Sequence, residues 1–148
     1  MPQLRILCIG RKANDPLLQS ADLYLQRLTK FTRTELHRLR EGTPEFERRQ
    51  LEGKLSPSDY IIALDERGLE LRTREVAAQI EEWEMNGISS VTFLLGGADG
   101  LAPQLKERAK TQWALSRMTL PHRMAQVLLL EQLYRAYSIN HGRPYHRE

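Results

Sequence analysis

Val91-Thr92-Phe93-Leu94-Leu95-Gly96-Gly97-Ala98-Asp99-Gly100 joins a short apolar run to a cluster of glycines. The run at 91–95 is typical of a β-strand, and the glycines mark the turn that follows it. A second apolar run, Tyr60-Ile61-Ile62-Ala63-Leu64, has the same character. Strands of this kind are buried on both faces, as in a parallel sheet that helices cover on both sides.

Segments with helical spacing alternate with strand-like segments along the rest of the chain. In chain order the pattern predicts a strand at 4–9, a helix that starts at Pro16 after Asn14-Asp15, a weaker strand at 33–39, a helix from Thr43-Pro44 to about Leu55, the strand at 60–64, a helix capped by Thr73 and closed by Asn86-Gly87, the strand at 91–95, a short helix after Pro103, a brief strand at 113–116 and a final helix at 123–140. This alternation indicates an α/β fold with a mostly parallel sheet and helices on both faces. The helix that follows Thr43-Pro44 has few apolar positions, so we expect it to be peripheral.

A ligand crevice is expected beyond the carboxyl ends of the strands, where open α/β sheets bind their ligands. Three segments that are distant in sequence would meet at this edge: Leu64-Asp65-Glu66-Arg67-Gly68, the glycine cluster at 96–100, and Ser116-Arg117-Met118-Thr119-Leu120-Pro121. Paired glycines at a strand end allow the backbone to approach a ligand closely. The alternative is that the cluster is only a turn that needs glycine.

Length, composition and charge limit the class of protein. A chain of 148 residues has the size of one domain, 1–148, and its 41% of apolar residues suffice for one core. Its 22 Lys and Arg against 19 Asp and Glu give a charge of +3, which permits an anionic partner without indicating one. No run reaches the roughly 18–20 apolar residues of a membrane span, and no signal peptide is recognisable at the start. We therefore expect a cytoplasmic protein.

The common cofactor and metal motifs are missing from the sequence. Cys8 is the single cysteine, which excludes an intrachain disulfide and a cysteine-based zinc cluster. Its position within a strand is typical of a small core residue. The glycine cluster matches neither the dinucleotide fingerprint nor the P-loop, although a flavodoxin-like or nucleotide-cofactor enzyme stays open as an alternative. His141 and His146 have no carboxylate or thiol at ligand spacing, so no metal is expected.

The final helix is apolar around nearly its whole circumference. Its apolar residues are Ala125, Val127, Leu128, Leu129, Leu130, Leu133, Tyr134, Ala136, Tyr137 and Ile139. A helix of this composition is buried on all sides. In a small protein, a second copy of the chain can bury the part of this helix that the first copy leaves exposed, which predicts a homodimer. The alternative is a helix sunk in the core of a single chain.

The C-terminal end is rich in groups that suit RNA. The residues from His122 onward include four arginines, at 123, 135, 143 and 147, against glutamates at 131 and 148, a net charge of +2. The planar guanidinium of arginine suits phosphate, and the rings of Tyr145 and His146 can stack on a base or exchange a proton. The alternative is that these C-terminal residues are frayed and have no function. A non-catalytic RNA-binding or ribosome-binding module would also account for these residues.

Four segments of the second half closely resemble the RlmH family of small SPOUT-class methyltransferases, which modify large-subunit ribosomal RNA. The segments are Phe93-Leu94-Leu95-Gly96-Gly97-Ala98-Asp99-Gly100-Leu101, Ser116-Arg117-Met118-Thr119-Leu120-Pro121-His122, Glu131-Gln132-Leu133-Tyr134-Arg135-Ala136-Tyr137-Ser138-Ile139 and Pro144-Tyr145-His146-Arg147-Glu148. The resemblance is strong from about residue 64 to the end and loose across 30–58. Family members commonly have proline where this chain has Ala98.

The resemblance implies a fold, an activity and a set of site residues. The fold would be an α/β knot in which the C-terminal segment threads a loop. The activity would be transfer of a methyl group from S-adenosylmethionine to N3 of a pseudouridine, at conventional position 1915 of 23S-type rRNA, by a homodimer that acts on assembled ribosomes. The donor would be held by Leu64, Gly97, Ser116, Arg117, Met118, Thr119, Leu120 and Pro121.

Methyl transfer from a sulfonium needs alignment of the reacting atoms and loss of the N3 proton. We hypothesise that the tail of one subunit, through Tyr145, His146 and Arg147, closes over the partner's cofactor and helps this deprotonation. Further catalytic and RNA-binding candidates are His122, Arg135 and Arg143. The alternative for His122 is that it only ends a loop and caps hydrogen bonds.

Overall fold

Five parallel strands form one sheet in the computed structural model, which describes residues 1–10 and 14–145. They are β1 (Gln3–Ile9), β2 (Thr34–Leu39), β3 (Tyr60–Glu70), β4 (Ser90–Leu95) and β5 (Thr111–Ala114), in the spatial order β2-β1-β4-β3-β5. The central strands are in register, with Ile6 beside Phe93 and Phe93 beside Ile62. Five of the six residues of β4 are buried, as an apolar run without alternation requires. The predicted parallel sheet is confirmed.

Five helices connect the strands in the described part of the chain. They are α1 (Pro16–Thr29), α2 (Pro44–Gly53), α3 (Thr73–Met85), α4 (Pro103–Arg108) and α5 (His122–Asn140). α1 and α2 start where the sequence predicts, because the side chains of Asp15 and Thr43 accept hydrogen bonds from the first turn and a proline follows each.

The predicted cap of α3 is wrong. Thr73 is the first residue of the helix, and its hydroxyl donates to Gln132 on α5 instead of capping. The preceding residue, Arg72, occupies the N-cap position, and its N–H is bound by the carboxylate of Glu75 at 2.7 Å. The Thr73 hydroxyl therefore makes a tertiary contact with α5 and does not cap α3.

Two layers of apolar side chains cover the two faces of the sheet. Successive residues of β1 alternate between them, because side chains of a strand point to opposite faces. Leu4, Ile6 and Cys8 belong to the larger cluster, which α1, α3 and α5 complete. Leu7 and Ile9 belong to the smaller cluster, which includes residues of α2 and α4. Helices thus lie on both faces, as predicted.

The expectation that α2 is peripheral holds only in part. Phe46 is exposed, but Leu51 is buried in the smaller core cluster and the carboxylate-bearing Glu47 is buried as well. A short helix with a single deeply buried leucine is enough to cover the end of β1 on this face.

β3 continues six residues beyond the predicted apolar run. Its register against β5 shifts between Leu64 and Leu69, and both of these residues pair with Trp113. Residues 65–68 bulge out between the two pairs. Gly68 is required there, because a Cβ atom on it would lie 2.6 Å from the backbone of Gln112. The bulge carries polar residues to the carboxyl edge of the sheet.

α5 is covered largely by its own chain. It packs against α1 and α3, and none of its residues is exposed. Leu129, Leu130, Leu133, Ala136 and Tyr137 lie in the larger core cluster. The continuous apolar surface of the helix therefore has an explanation within one chain. Within the described residues no helix has the length and apolarity needed to cross a bilayer.

Candidate functional site

A cleft of about 350 Å³ lies beyond the carboxyl ends of β3, β4 and β5. Its walls come from the three segments that the sequence places at this edge, together with residues of α4 and the start of α5. The lining residues are Leu64, Asp65, Glu66, Arg67, Leu95, Gly96, Gly97, Ala98, Asp99, Gly100, Leu101, Lys106, Leu115, Ser116, Met118, Thr119, Leu120, His122 and Ala125. The fold brings together groups that are more than 50 residues apart in the chain.

The glycine loop presents bare backbone to the cleft. A Cβ atom on Gly96 would lie 2.4 Å from the carbonyl carbon of Gly100, so no side chain fits there. Gly100 has φ +75° and donates its N–H to the carbonyl of Gly97 at 3.0 Å. A Cβ atom on Gly97 would lie 3.0 Å from Ile9 and 3.3 Å from the nearer carboxylate oxygen of Glu47. Close packing therefore requires glycine at positions 96 and 97, and the positive φ favours it at position 100.

The loop at 116–121 forms the opposite wall. The hydroxyl of Ser116 accepts a hydrogen bond from the N–H of Met118 at 2.9 Å, which tightens the turn. The hydroxyl of Thr119 donates to the carboxylate of Glu66 at 2.8 Å. Met118 is 78% exposed although it lines the cleft, so the loop offers a large apolar side chain to whatever enters.

Two predicted cofactor residues of this loop do not line the cleft. The side chain of Arg117 is exposed and pairs with Glu70 at the end of β3. Pro121 is exposed at the end of the loop, immediately before α5. Among the predicted cofactor residues, the cleft walls contain Leu64, Gly97, Ser116, Met118, Thr119 and Leu120.

The cleft contains an ion pair that the sequence did not reveal. Nζ of Lys106 lies 3.2 Å from Oδ2 of Asp65, and the two side chains are 26% and 16% exposed. Asp65 belongs to one of the predicted edge segments, but no local signal marks Lys106, which reaches the cleft from α4. Among the described residues, no group of three or more His, Cys, Asp or Glu side chains is arranged to hold a metal ion.

His122 stands at the first position of α5 and lines the cleft. Its ring packs over Gly10, where a Cβ atom would lie 2.9 Å from Cδ2 of the imidazole. Nε2 is buried and has no hydrogen-bond partner among the described residues. The nearest carboxylate oxygen of Glu41 is 3.6 Å away from it. The imidazole therefore keeps an unused hydrogen-bonding atom, and no cap made by its side chain is found within the described part of the chain.

Tyr145 lies away from the cleft of its own chain. Its hydroxyl is 3.0 Å from Oε2 of Glu131 and 3.2 Å from the hydroxyl oxygen of Tyr24. Its ring makes an edge contact with Tyr134 at 4.7 Å. Burial, followed by the hydrogen bonds to Tyr24 and Glu131, raises the pKa of Tyr145 well above its ordinary value. None of these four residues lines the cleft.

The two predicted RNA-binding arginines differ in how they are held. Arg135 binds the carboxylate of Glu131 through Nε and Nη2, at 3.0 and 2.7 Å, and this bond raises the pKa of Arg135. Arg143 is exposed, and its backbone N–H donates to the carbonyl of Ser138 at 2.8 Å. The predicted catalytic residues His146 and Arg147 lie outside the described residues.

Besides Lys106, the sequence patterns did not single out Glu47 or Glu131. Glu47 lies against Gly97, and Glu131 collects the hydrogen bonds of Tyr145 and Arg135. An acidic residue on an otherwise apolar helix is a usable signal for Glu131. Glu47 lies in a charged helix, where no sequence signal separates it from its exposed neighbours.

Comparison with known protein families identifies a match over nearly the whole chain. The family described as "Predicted SPOUT methyltransferase" matches residues 2–146. A relative from Polynucleobacter asymbioticus is 42% identical over 147 residues, with 99% of each chain covered. Relatives from Paraburkholderia phymatum and Acinetobacter baumannii are 40% and 37% identical and cover 98% of this chain and 99% of their own. All three carry the name "Ribosomal RNA large subunit methyltransferase H".

Solved structures share the fold at low sequence identity. A probable methylase family protein from Haemophilus influenzae aligns with a TM-score of 0.59 at 13% identity, covering 98% of this chain and 70% of that one. A probable methyltransferase from Bordetella pertussis aligns with a TM-score of 0.57 at 13% identity, covering 92% of this chain and 96% of that one. At this identity the likeness extends to the fold alone.

Proposed function

The chain belongs to the SPOUT methyltransferase family, and from that premise we propose that it methylates N3 of a pseudouridine, at conventional position 1915 of large-subunit (23S) ribosomal RNA, with S-adenosylmethionine as donor. The observation that carries the proposal is near-full-length identity of 37–42% to relatives named for methylation of large-subunit ribosomal RNA. We propose that the whole chain, 1–148, acts as one domain, and that it works in the cytoplasm on assembled ribosomes. Its small charge of +3 favours a preassembled ribonucleoprotein surface over naked RNA.

The cleft fits an adenosine-containing donor. Gly96, Gly97 and Gly100 line it without side chains, and backbone N–H and C=O groups can recognise adenine and an amino-acid moiety without charged side chains. The residues proposed to hold the donor are Leu64, Gly97, Ser116, Arg117, Met118, Thr119, Leu120 and Pro121. Arg117 and Pro121 do not line the cleft, and they are included only because of the sequence resemblance to the RlmH family. The bound donor supplies an electrophilic methyl group on a positively charged sulfur.

The residues of the chain have two tasks in this reaction, which are to align the base and to receive its N3 proton. His122 is proposed for the second task, because the residue lines the cleft and its Nε2 makes no hydrogen bond among the described residues. Nε2 is buried beside Gly10, so the ring would have to turn toward the cleft to accept the proton. Arg135 and Arg143 are proposed to contact RNA phosphate, with Arg143 the more available of the two because it is exposed. A carboxylate already binds Arg135, so that residue would have to exchange partners.

We propose that two copies of the chain form the active enzyme. Tyr145 lies beside α1 and the middle of α5, whereas the cleft lies at the start of α5. At 1.5 Å per residue, Glu131 is about 13 Å along the helix from His122. We propose that the tail, held there by Tyr145, serves the cleft of a second copy, where His146 and Arg147 are proposed to act. We also propose the C-terminal knot of the family, in which the C-terminal segment threads a loop.

The decisive experiment is mass spectrometry of ribosomal RNA from cells that lack the gene. The expected result is the loss of one methyl group on one pseudouridine of the large-subunit RNA, restored by the wild-type gene. An unchanged methylation pattern would refute the proposed substrate. Calorimetry with S-adenosylmethionine separates the enzyme from a non-catalytic RNA-binding module, because the module would not bind the donor.

Two further measurements test the dimer and the tail. Light scattering coupled to size exclusion should give twice the mass of 17.2 kDa. A chain that stops at Gly142 should still form a dimer and should lose methyl transfer. Monomers in solution, or full activity of the shortened chain at preserved dimerisation, would contradict the shared site.

A further inference from the structure

A polar cluster joins the C-terminal end of the chain to α5 outside the cleft. Its members are Tyr24 on α1, Glu131, Tyr134 and Arg135 on α5, and Tyr145. Glu131 is the centre of the cluster, because Tyr145 and Arg135 both donate to its carboxylate, which also accepts a hydrogen bond from Gln132 at 2.8 Å. The side chain of Glu131 is 13% exposed. A buried carboxylate with this many partners is held in a single orientation.

The contacts define a rigid seat for Tyr145. A carboxylate only accepts hydrogen bonds, so the Tyr145 hydroxyl donates to Oε2 of Glu131. Arg135 binds the same oxygen at 2.7 Å, and its guanidinium lies 4.8 Å from the centre of the Tyr145 ring. The seat thus combines a charge-assisted hydrogen bond, a cation–π contact and an edge contact with Tyr134.

We propose that Glu131 is a positioning residue that anchors the C-terminal tail through Tyr145, and that Tyr145 is the anchor of the tail and not a proton acceptor in methyl transfer. This inference rests on the proposed function, in which the tail takes part in catalysis. The hydroxyl proton of Tyr145 is already donated to a carboxylate. Its raised pKa, caused first by burial, makes the phenolate form that would accept a proton scarce.

The anchor restricts where the following residues can act. Three residues beyond Tyr145 span at most about 11 Å when fully extended. Without the anchor, the next upstream attachment is the hydrogen bond from the N–H of Arg143 to Ser138, which leaves five residues with a reach of about 18 Å. The volume that a tethered group can explore scales with the cube of its reach, so the anchor reduces this volume about fourfold. The effective concentration of the tail groups should therefore be about four times higher with the anchor than without it.

The test uses the full-length protein with Glu131→Met, which removes the acceptor at similar volume, and Tyr145→Phe, which removes only the hydroxyl. Each variant should lower kcat on ribosomes about fourfold, with the dissociation constant of S-adenosylmethionine unchanged. The double variant should be no slower than either single one, because both break the same bond. Glu131→Gln retains an acceptor oxygen and should recover part of the rate. Matched controls are the exposed Glu81→Gln on α3 and Tyr60→Phe on β3, both expected at wild-type rate.

A second readout does not depend on activity. In a protein labelled with ¹³C at the tyrosine Cζ, the Tyr145 signal should show a lower pKa in Glu131→Met than in the wild type. Additive losses of rate in the double variant, or an unchanged Tyr145 pKa, would overturn the anchor. If wild-type protein fails to methylate ribosomal RNA, the proposed function fails, and the tyrosine titration alone then decides the anchor.

Discussion

Oγ1 of Thr119 donates a 2.8 Å hydrogen bond to Oε2 of Glu66, and this bond joins two adjacent segments of the cleft wall. Glu66 belongs to the bulge of β3, and Thr119 belongs to the loop before α5. The two segments are 53 residues apart, so the bond holds together parts of the wall that no local structure connects. The pairing of Arg117 with Glu70 adds a second link.

Thr119→Val should weaken donor binding without unfolding the protein. The substitution keeps the shape of the side chain and removes the hydroxyl, and an exposed hydrogen bond of this kind contributes about 0.5–1 kcal/mol. We expect the dissociation constant of S-adenosylmethionine, measured by calorimetry, to rise two- to fivefold with Tm unchanged. The matched control is Thr29→Val at the end of α1, whose hydroxyl donates to the carbonyl of Gln26 in its own helix at 2.6 Å. Equal binding by both variants would show that the loops do not need this link.

Much of the fold follows from local sequence patterns. The runs at 60–64 and 91–95 lie on the central strands because apolar residues without alternation require burial on both faces. The starts of α1 and α2 follow from Asp15 and Thr43, whose caps involve only residues nearby in the chain. The meeting of three segments at one edge follows from the parallel topology.

The parts that escaped prediction depend on partners distant in sequence. Residues 65–68 are polar and typical of a turn, and they belong to a strand only because β5 offers Trp113 to both Leu64 and Leu69. Lys106 reaches Asp65 across 41 residues. Glu131 gains its role from Tyr145, which packs against α5 after the helix has ended. Side-chain contacts of this range are decided by packing and leave no periodic signal in the sequence.

Gly96→Ala should abolish donor binding, whereas Gly87→Ala should reduce stability alone. A Cβ atom at position 96 would lie 2.4 Å from the backbone of Gly100. Because a backbone atom cannot rotate away as a side chain can, the whole loop would have to move. Gly87, at the end of α3, has φ +70° with open space around it, so alanine there costs about 1 kcal/mol through backbone strain. Calorimetry and thermal unfolding of both variants separate loop geometry from general destabilisation. Donor binding by Gly96→Ala at wild-type affinity would contradict the role of the glycine loop.

Cys8 should be inert in the folded protein and should weaken the fold at alkaline pH. Burial in β1 raises the pKa of its thiol from 9.0 to about 12, so at pH 8 only about one molecule in ten thousand carries the reactive thiolate. Iodoacetamide at pH 8 should modify Cys8 after unfolding in guanidinium and leave the native protein unmodified for hours. Fast modification of native protein, followed by mass spectrometry, would show that the strand opens.

The same pKa shift fixes the sign of a pH effect on stability. Because the folded pKa lies above that of the unfolded chain, the contribution of Cys8 is complete below pH 9 and is lost as pH rises toward 12. Between pH 8 and pH 10.5 the wild type should lose about 2 kcal/mol more in free energy of unfolding than Cys8→Ala. Guanidinium unfolding of both proteins at the two pH values measures this difference. Parallel losses would place the alkaline sensitivity in other groups.

Lys106→Met should make the cleft prefer the methyl donor over the demethylated product. The ion pair of Lys106 with Asp65 keeps this wall of the cleft near neutral. Removal of the ammonium leaves the Asp65 carboxylate uncompensated. S-adenosylmethionine carries one positive charge more than S-adenosylhomocysteine, and at a distance on the order of 8 Å a unit charge acts on it with about 0.5–2 kcal/mol.

The expected result is a rise of about two- to thirtyfold in the ratio of donor to product affinity at low salt, measured by calorimetry with each compound. Salt should reduce this rise, because the cleft is open to solvent. Lys110→Met removes the same charge at the amino-terminal edge of the sheet, before β5, and should leave the ratio unchanged. If Lys106→Met shifts both affinities equally, the sulfonium is not bound near Asp65, and the donor must then lie along another wall of the cleft.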